Sequence, residues 1–204
     1  MSRIETLAIY GGTFSPPHLG HVRAAEAFLR EIDPDQLLII PAAIPPHKDP
    51  VSGASAEDRL AMCRLAFSHI PKARISDMEL LREGKSYTVD TLRALKCRGR
   101  RLIMLVGTDM FLSLDTWYCA EEIFSLSEIA VIRREEDKEM FGRLKKTAED
   151  YREKYGACTH FIKAAPFEIS STVLREHIVN GKPVSQYLPE AVEEYIRKCR
   201  LYRS

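Results

Sequence analysis

Two histidines three residues apart give the sequence its clearest chemical signal. They lie in GGTFSPPHLGH, Gly11–His21, directly after the apolar run Thr6–Tyr10. On a helix, residues at i and i+3 share a face, so His18 and His21 would project together. Proline suits the entry to a helix and not its interior, which places both imidazoles in a first turn. There the free backbone amides and the helix dipole favour an anion. Gly11 and Gly12 let the backbone turn tightly after the strand and come close to a ligand. The amides of Gly11, Gly12, Thr13 and Phe14, with His18 and His21 as further donors, would cradle phosphate groups and developing negative charge. Two other readings compete: a metal-binding histidine pair, for which no third Cys, His or Asp lies nearby, and a plain turn whose histidines only cap the helix. The spacing is not the GxGxxG of a dinucleotide fingerprint.

A loop of this kind must be held by a strand before it and a helix after it, and the rest of the chain repeats that alternation. Short apolar runs occur at Thr6–Tyr10, Gln36–Ile40, Ala73–Ser76, Leu102–Val106, Ile129–Ile132 and His160–Ile162. Between them apolar residues recur near the helical period: Val22, Ala25, Leu29 and Ile32; Ala61, Met62, Leu65 and Ala66; Leu144, Ala148, Tyr151 and Tyr155. Strands alternating with helices predict an α/β fold, a doubly wound parallel sheet with right-handed crossovers. Ligands of such sheets bind beyond the carboxyl ends of the strands, in the loops. The whole chain, 1–204, reads as one domain, with helices over Ser171–Val179 and Pro189–Arg197 packed on it as a small C-terminal helical cap.

The histidine loop GGTFSPPHLGH resembles the GxFxPxHxGH signature of the HxGH nucleotidyltransferase superfamily, and Ile169–Arg175, ISSTVLR, resembles its second signature, ISSTxxR. The pair in this order is far more specific than either motif alone. The middle of the chain is similar to bacterial nicotinate mononucleotide adenylyltransferases over essentially its whole length. That similarity rests on PPHK at Pro45–Lys48, SYTVDTL at Ser86–Leu92, VGTDMF at Val106–Phe111, Trp117, and LPEAVEEYI at Leu188–Ile196. One departure is Ser15, where the family most often has aspartate; its side chain is expected to shape the loop rather than to react.

The resemblance implies a Rossmann-like nucleotidyltransferase fold whose substrates are ATP and nicotinate mononucleotide. The first motif would hold the triphosphate and the second would grip its outer phosphates. Ser170, Ser171 and Thr172 look like a helix start that offers hydroxyls and amides, and Arg175, one turn on, can fork across phosphate oxygens. Taken alone, the segment is equally an ordinary capped helix. His47 and Lys48, on the proline-stiffened loop Pro41–Pro50, suit a phosphomonoester, or are simply an exposed basic loop. Gly107 would let backbone meet adenosine and Asp109 would accept from ribose hydroxyls; the bland reading is a helix cap at Thr108 or Asp109. Trp117 is the single tryptophan, in a polar loop, and a flat aromatic stacks well on a pyridine ring. Packing in the core is the alternative. Thr88 and Tyr118 match family positions whose amides hold the nicotinate carboxylate.

The expected reaction is attack of the mononucleotide phosphate on the α-phosphorus of ATP, with release of pyrophosphate. The nucleophile is already ionised, so positioning and charge neutralisation suffice, with His18, His21, Lys48 and Arg175 as the catalytic set. Mg²⁺ is expected to arrive with the ATP phosphates, without a dedicated set of protein ligands. Composition supports this frame. The 204 residues carry 30 basic and 29 acidic side chains, a net charge of +1, which argues against a nucleic-acid partner. No apolar stretch approaches a membrane span or an export signal, and five scattered cysteines without a CxxC pair suggest free thiols and a cytoplasmic protein. The sequence leaves homo-oligomer formation open. The rivals are phosphopantetheine adenylyltransferase, which lacks SYTVDTL and the tryptophan loop, and a non-catalytic nucleotide-binding module.

Overall fold

The computed structural model describes residues 4–44, 53–133, 138–164 and 169–203. All six apolar runs are strands: β1 (Glu5–Gly12), β2 (Gln36–Pro41), β3 (Ala73–Ile75), β4 (Arg100–Gly107), β5 (Glu128–Arg133) and β6 (Thr159–Lys163). They form one parallel sheet in the order β3-β2-β1-β4-β5-β6. Connections run outward from β1 in one direction and from β4 in the other, so the order reverses between these two central strands. A crevice opens at such a switch point beyond the strand ends.

The sheet is apolar on both faces, and the two-residue period of each strand sorts its side chains between two cores. On one face Ala8, Tyr10, Ile103 and Leu105 meet α1 (Leu19–Ile32), α2 (Ala56–Ala66), α7 (Ser171–Val179) and α8 (Glu190–Cys199). On the other, Leu7, Ile9, Leu102, Met104 and Val106 meet α3 (Thr88–Leu95), α4 (Thr108–Leu112), α5 (Ala120–Leu126) and α6 (Lys138–Tyr155). The C-terminal helices bury Leu174, Val192 and Ile196 in the first of these clusters. At about 1.5–3 kcal/mol for each fully buried aliphatic side chain, they are held there by more than surface contact.

One helical face differs from its expected position. The pattern Ala61, Met62, Leu65, Ala66 has the right period, but the buried residues of α2 are Arg59, Leu60, Met62, Cys63 and Ala66. The stripe is rotated so that a charged residue enters it and Ala61 and Leu65 lie at its margin. All five cysteines are free thiols. Among the described residues no helix is long and apolar enough to cross a membrane.

Candidate active site

Gly11 and Gly12 still belong to β1, opposite Ile40 and Pro41 of β2, so they do not make the expected turn. The chain turns two residues later, at Phe14, which holds the left-handed backbone conformation (φ 48°) although it is not glycine. The Phe14 ring is buried and lies edge-on to Tyr10, His21 and Phe67, with centroids 5.4, 5.1 and 6.0 Å away. That packing pins a backbone conformation an L-residue otherwise avoids. Gly12 makes room for the Phe14 ring: a Cβ there would lie only 3.1 Å from it. A Cβ on Gly11 or on Gly107, at the ends of the two central strands, would enter open space. The switch-point crevice is therefore lined by bare backbone on both sides.

The histidines form a reciprocal cap. His18 is the N-cap of α1 and its Nδ1 accepts from the Gly20 amide at 3.1 Å, while His21 Nδ1 accepts from the His18 amide, also at 3.1 Å. This is a capping box with imidazoles in place of the usual hydroxyl and carboxylate. The rings lie 3.8 Å apart, centroid to centroid, and tilted by 33°. With both Nδ1 atoms accepting, each neutral ring carries its proton on Nε2, the tautomer that offers a donor. Capping and hydrogen-bond donation, which compete as readings of the sequence, are thus compatible in one geometry.

The second motif docks on the first. Ser170 caps α7 through the Val173 amide. Ser171 Oγ donates to the carbonyl of Pro16 at 3.0 Å, and Arg175 Nη1 donates to the carbonyl of Ser15 at 2.8 Å. The other Arg175 nitrogen, Nη2, donates to Thr172 Oγ1. Ser15 is buried and its hydroxyl lies 2.9 Å from the Tyr202 hydroxyl, with burial pushing the tyrosine phenol up to about 12. The side chain at the family's aspartate position therefore joins the loop to the C-terminal segment.

Across the crevice, Gly107 is the N-cap of α4, Thr108 is buried in its first turn, and Asp109 is exposed. The cap therefore falls on Gly107, and neither Thr108 nor Asp109 is the cap. Thr88 is the first residue of α3, after the N-cap Tyr87. The Tyr87 and Tyr118 rings approach to 4.7 Å, which brings the start of α3 beside the Trp117–Tyr118 loop. Trp117 is half-buried against the second core and Tyr118 is exposed. Just before that loop the Asp115 amide donates to the Tyr151 hydroxyl at 3.3 Å, and this hydroxyl donates to the Phe111 carbonyl at 3.0 Å. Trp117 thus has one side on the core and one outside it. His47 and Lys48 lie outside the described residues.

Two buried charged residues behind these loops give little sign of themselves in the sequence. Arg59 is buried, donating to the carbonyls of Thr13 (2.9 Å) and Ala43 (3.1 Å). Its signal was an arginine in an apolar helical stripe. Glu79 is buried and accepts from Thr91 Oγ1 at 2.7 Å; burial raises its carboxyl above the ordinary carboxylate range. Nothing in the local sequence marks it. Among the described residues, the one cluster of three metal-ligating side chains is Glu128, Cys158 and His160, at the starts of β5 and β6 and so at the opposite end of the sheet. It is already an ion-pair group: Arg101 forks both Glu128 oxygens and His160 Nε2 lies 2.6 Å from one of them.

A parallel sheet with its crevice at the β1/β4 switch, a histidine-capped helix on one loop and an arginine helix docked against it, define a nucleotidyltransferase. Comparison with known proteins narrows the class. Residues 9–177 match the family model described as cytidylyltransferase-like. A chain from Desulfatibacillum aliphaticivorans, named a probable nicotinate-nucleotide adenylyltransferase, is 36% identical over 96% of this chain and 99% of its own length. One of the same name from Synechococcus sp. (strain JA-2-3B'a(2-13)) is 38% identical, covering 96% of each. In fold, the chain is similar to the Plasmodium falciparum nicotinic acid mononucleotide adenylyltransferase complexed with NaAD, with a TM-score of 0.74 and 17% identity over 97% of each chain. The chain belongs to the nicotinate-nucleotide adenylyltransferase family, within the cytidylyltransferase-like group.

Proposed function

We propose that the chain transfers the adenylyl group of ATP to nicotinate mononucleotide, giving deamido-NAD and pyrophosphate. The observation that carries the reading is the docking of Arg175 and Ser171 onto the carbonyls of Ser15 and Pro16, beside the His18–His21 cap. It joins the two motifs proposed to bind phosphate beside the β1/β4 switch point. A mononucleotide phosphate oxygen forms the new bond to the α-phosphorus as the bond to the bridging oxygen of pyrophosphate breaks. The attacking oxygen is already an anion, so no side chain need remove a proton.

The residues act by position and charge. The amides of Gly11, Gly12, Thr13 and Phe14 and the Nε2–H groups of His18 and His21 are the proposed donors to the ATP phosphates. Ser170, Ser171, Thr172 and Arg175 would take its outer phosphates, and Arg175 would exchange its Ser15 carbonyl for phosphate oxygens. Gly107 and Asp109 would receive the adenosine. His47 and Lys48 would hold the mononucleotide phosphate; Thr88 and Tyr118 would meet the nicotinate carboxylate through their amides, with the ring on Trp117. The donor set of the crevice, amides, imidazoles and hydroxyls, suits an Mg²⁺ ion carried by the ATP phosphates and their waters. When bound, that ion would neutralise part of the triphosphate charge. We place the reaction in the cytoplasm, in one domain spanning 1–204, with no nucleic acid or membrane partner.

A substrate panel tests this: ATP with nicotinate mononucleotide, nicotinamide mononucleotide or phosphopantetheine, following pyrophosphate. Turnover best with nicotinate mononucleotide supports the reading. Preference for phosphopantetheine, or binding without turnover in all three, overturns it.

A further inference from the structure

A buried arginine without a carboxylate partner needs a reason to be where it is. Arg59 lies inside the apolar stripe of α2, 4% exposed, and among the described residues no carboxylate forms an ion pair with it. Burial draws its guanidinium below its ordinary value. An aliphatic side chain would fill the position without desolvating a charge. What the arginine does instead is bond two loops to each other. Nη1 donates to the Thr13 carbonyl, in the loop after β1, and Nη2 to the Ala43 carbonyl, in the loop after β2.

The bonding continues past Ala43. The Ala43 amide donates to Ser86 Oγ at 3.0 Å, and the Ser86 amide donates to the Ile44 carbonyl at 3.0 Å. Glu79 accepts from Thr91 in α3, and Ser86 lies close enough to Glu79 to help draw its carboxyl down against the effect of burial. Ser86 is 6% exposed and Glu79 7%, so solvent has little access to these two side chains. A buried hydrogen-bonded network of this kind is stiff, because its members satisfy one another away from bulk water. It runs from the loop proposed for ATP, through the segment leading into Pro45–Lys48, to the start of the helix proposed to meet the nicotinate carboxylate.

We infer that Arg59, with Ser86 and Glu79, is a positioning strap that sets the separation of the ATP loop from the two anchor points of the acceptor nucleotide. The inference rests on the function proposed above. Each loop carries its own contacts to its own substrate, so cutting the strap leaves binding largely in place. What is lost is the relative placement of the attacking oxygen and the α-phosphorus. A misplacement of about 1 Å between reacting groups costs on the order of 10²-fold in rate.

The experiment is steady-state kinetics on Arg59→Met, Arg59→Lys and Ser86→Ala in the full chain, with ATP-binding stoichiometry measured beside it. For Arg59→Met, kcat should fall roughly 10- to 100-fold while the KM for ATP and for the mononucleotide each change less than about threefold. Arg59→Lys, with the charge but no fork, should recover part of the rate. Ser86→Ala should show the same split, and the double variant should lose less than the product of the single losses, since both cut one network. Wild-type kcat in Arg59→Met overturns the inference. So does an effect confined to the KM of one substrate, or a kcat loss that matches the loss of ATP-binding sites per chain. Should Arg59→Met fail to fold, Ser86→Ala decides alone: a kcat-dominated loss supports the strap and wild-type kinetics refute it. The unsubstituted chain is assayed first. If nicotinate mononucleotide does not turn over, the proposed function fails, and the strap is measured with whichever acceptor does react.

Discussion

Because His18 both caps α1 and is proposed to donate to phosphate, its two jobs can be separated by substitution. His18→Ala removes the acceptor for the Gly20 amide and the Nε2 donor together. Loss of an N-cap costs about 1 kcal/mol, which lowers the melting temperature of a chain of this size by roughly 2–4 °C. Loss of one preorganised donor costs about 2.7–4 kcal/mol in the transition state, or 10²–10³ in kcat. The donor term is the larger, so the alanine variant should melt slightly early and turn over very slowly. His18→Asn separates the two: asparagine is among the best N-cap residues, so its side-chain oxygen can accept from the Gly20 amide while no Nε2–H is restored. The melting temperature should return toward wild type and kcat should stay 10²–10³ lower, within those limits for one donor. His21→Gln is the matching test, since glutamine at N3 closes a capping box by reaching back to the N-cap amide. The assays are pyrophosphate release at saturating substrates and thermal melting. Full turnover in His18→Asn would show that the ring is only a cap, and the phosphate role of the pair would have to be abandoned.

Three further outcomes are expected. Arg175→Ala should raise the KM for ATP and lower kcat with little change in the KM for the mononucleotide, and Arg175→Lys should restore only part, because an ammonium cannot fork; unchanged ATP kinetics would make α7 purely structural. Nicotinate mononucleotide should exceed nicotinamide mononucleotide by on the order of 10²-fold or more in kcat/KM, because amides aimed at a carboxylate meet the amide's NH₂ donor to donor, and Trp117→Ala should raise both KM values alike. Acid unfolding should carry a contribution from Glu128, whose carboxyl the Arg101 fork and the His160 ring hold down near 2, against 4.5 ordinarily. A depressed folded-state value stabilises above pH 4.5 and is lost as pH falls toward 2, so Glu128→Gln should flatten stability across that window and cost on the order of 1 kcal/mol at neutral pH after screening. An unaltered acid limb in Glu128→Gln would locate the acid sensitivity elsewhere.

The strands, their parallel alternation with helices and the two signature motifs were legible in the sequence, since each is a local pattern. The apolar run Leu102–Val106, in a chain of alternating helical patterns, reads as a buried strand, and SSTVLR reads as a helix start. Errors arose where a local rule met a long-range neighbour. The glycines at 11 and 12 read as a turn, yet Gly12 serves the Phe14 ring and the turn falls on Phe14, because the aromatic packing of Tyr10, His21 and Phe67 holds it there. The stripe on α2 read as purely apolar, yet Arg59 lies inside it, because two carbonyls 46 and 16 residues away in the chain satisfy its guanidinium.

What the sequence determined by itself, then, was composition of the site: which loops follow strands, and that they bear histidines, hydroxyls, an arginine and one tryptophan. Tertiary structure decided how these loops are joined. Arg175 reaches the Ser15 carbonyl across 160 residues of chain, and Tyr202 meets the Ser15 hydroxyl across 187. Such bonds leave no periodic trace, because a carbonyl is present at every residue and any donor could take it. Only the path of the backbone selects which one does.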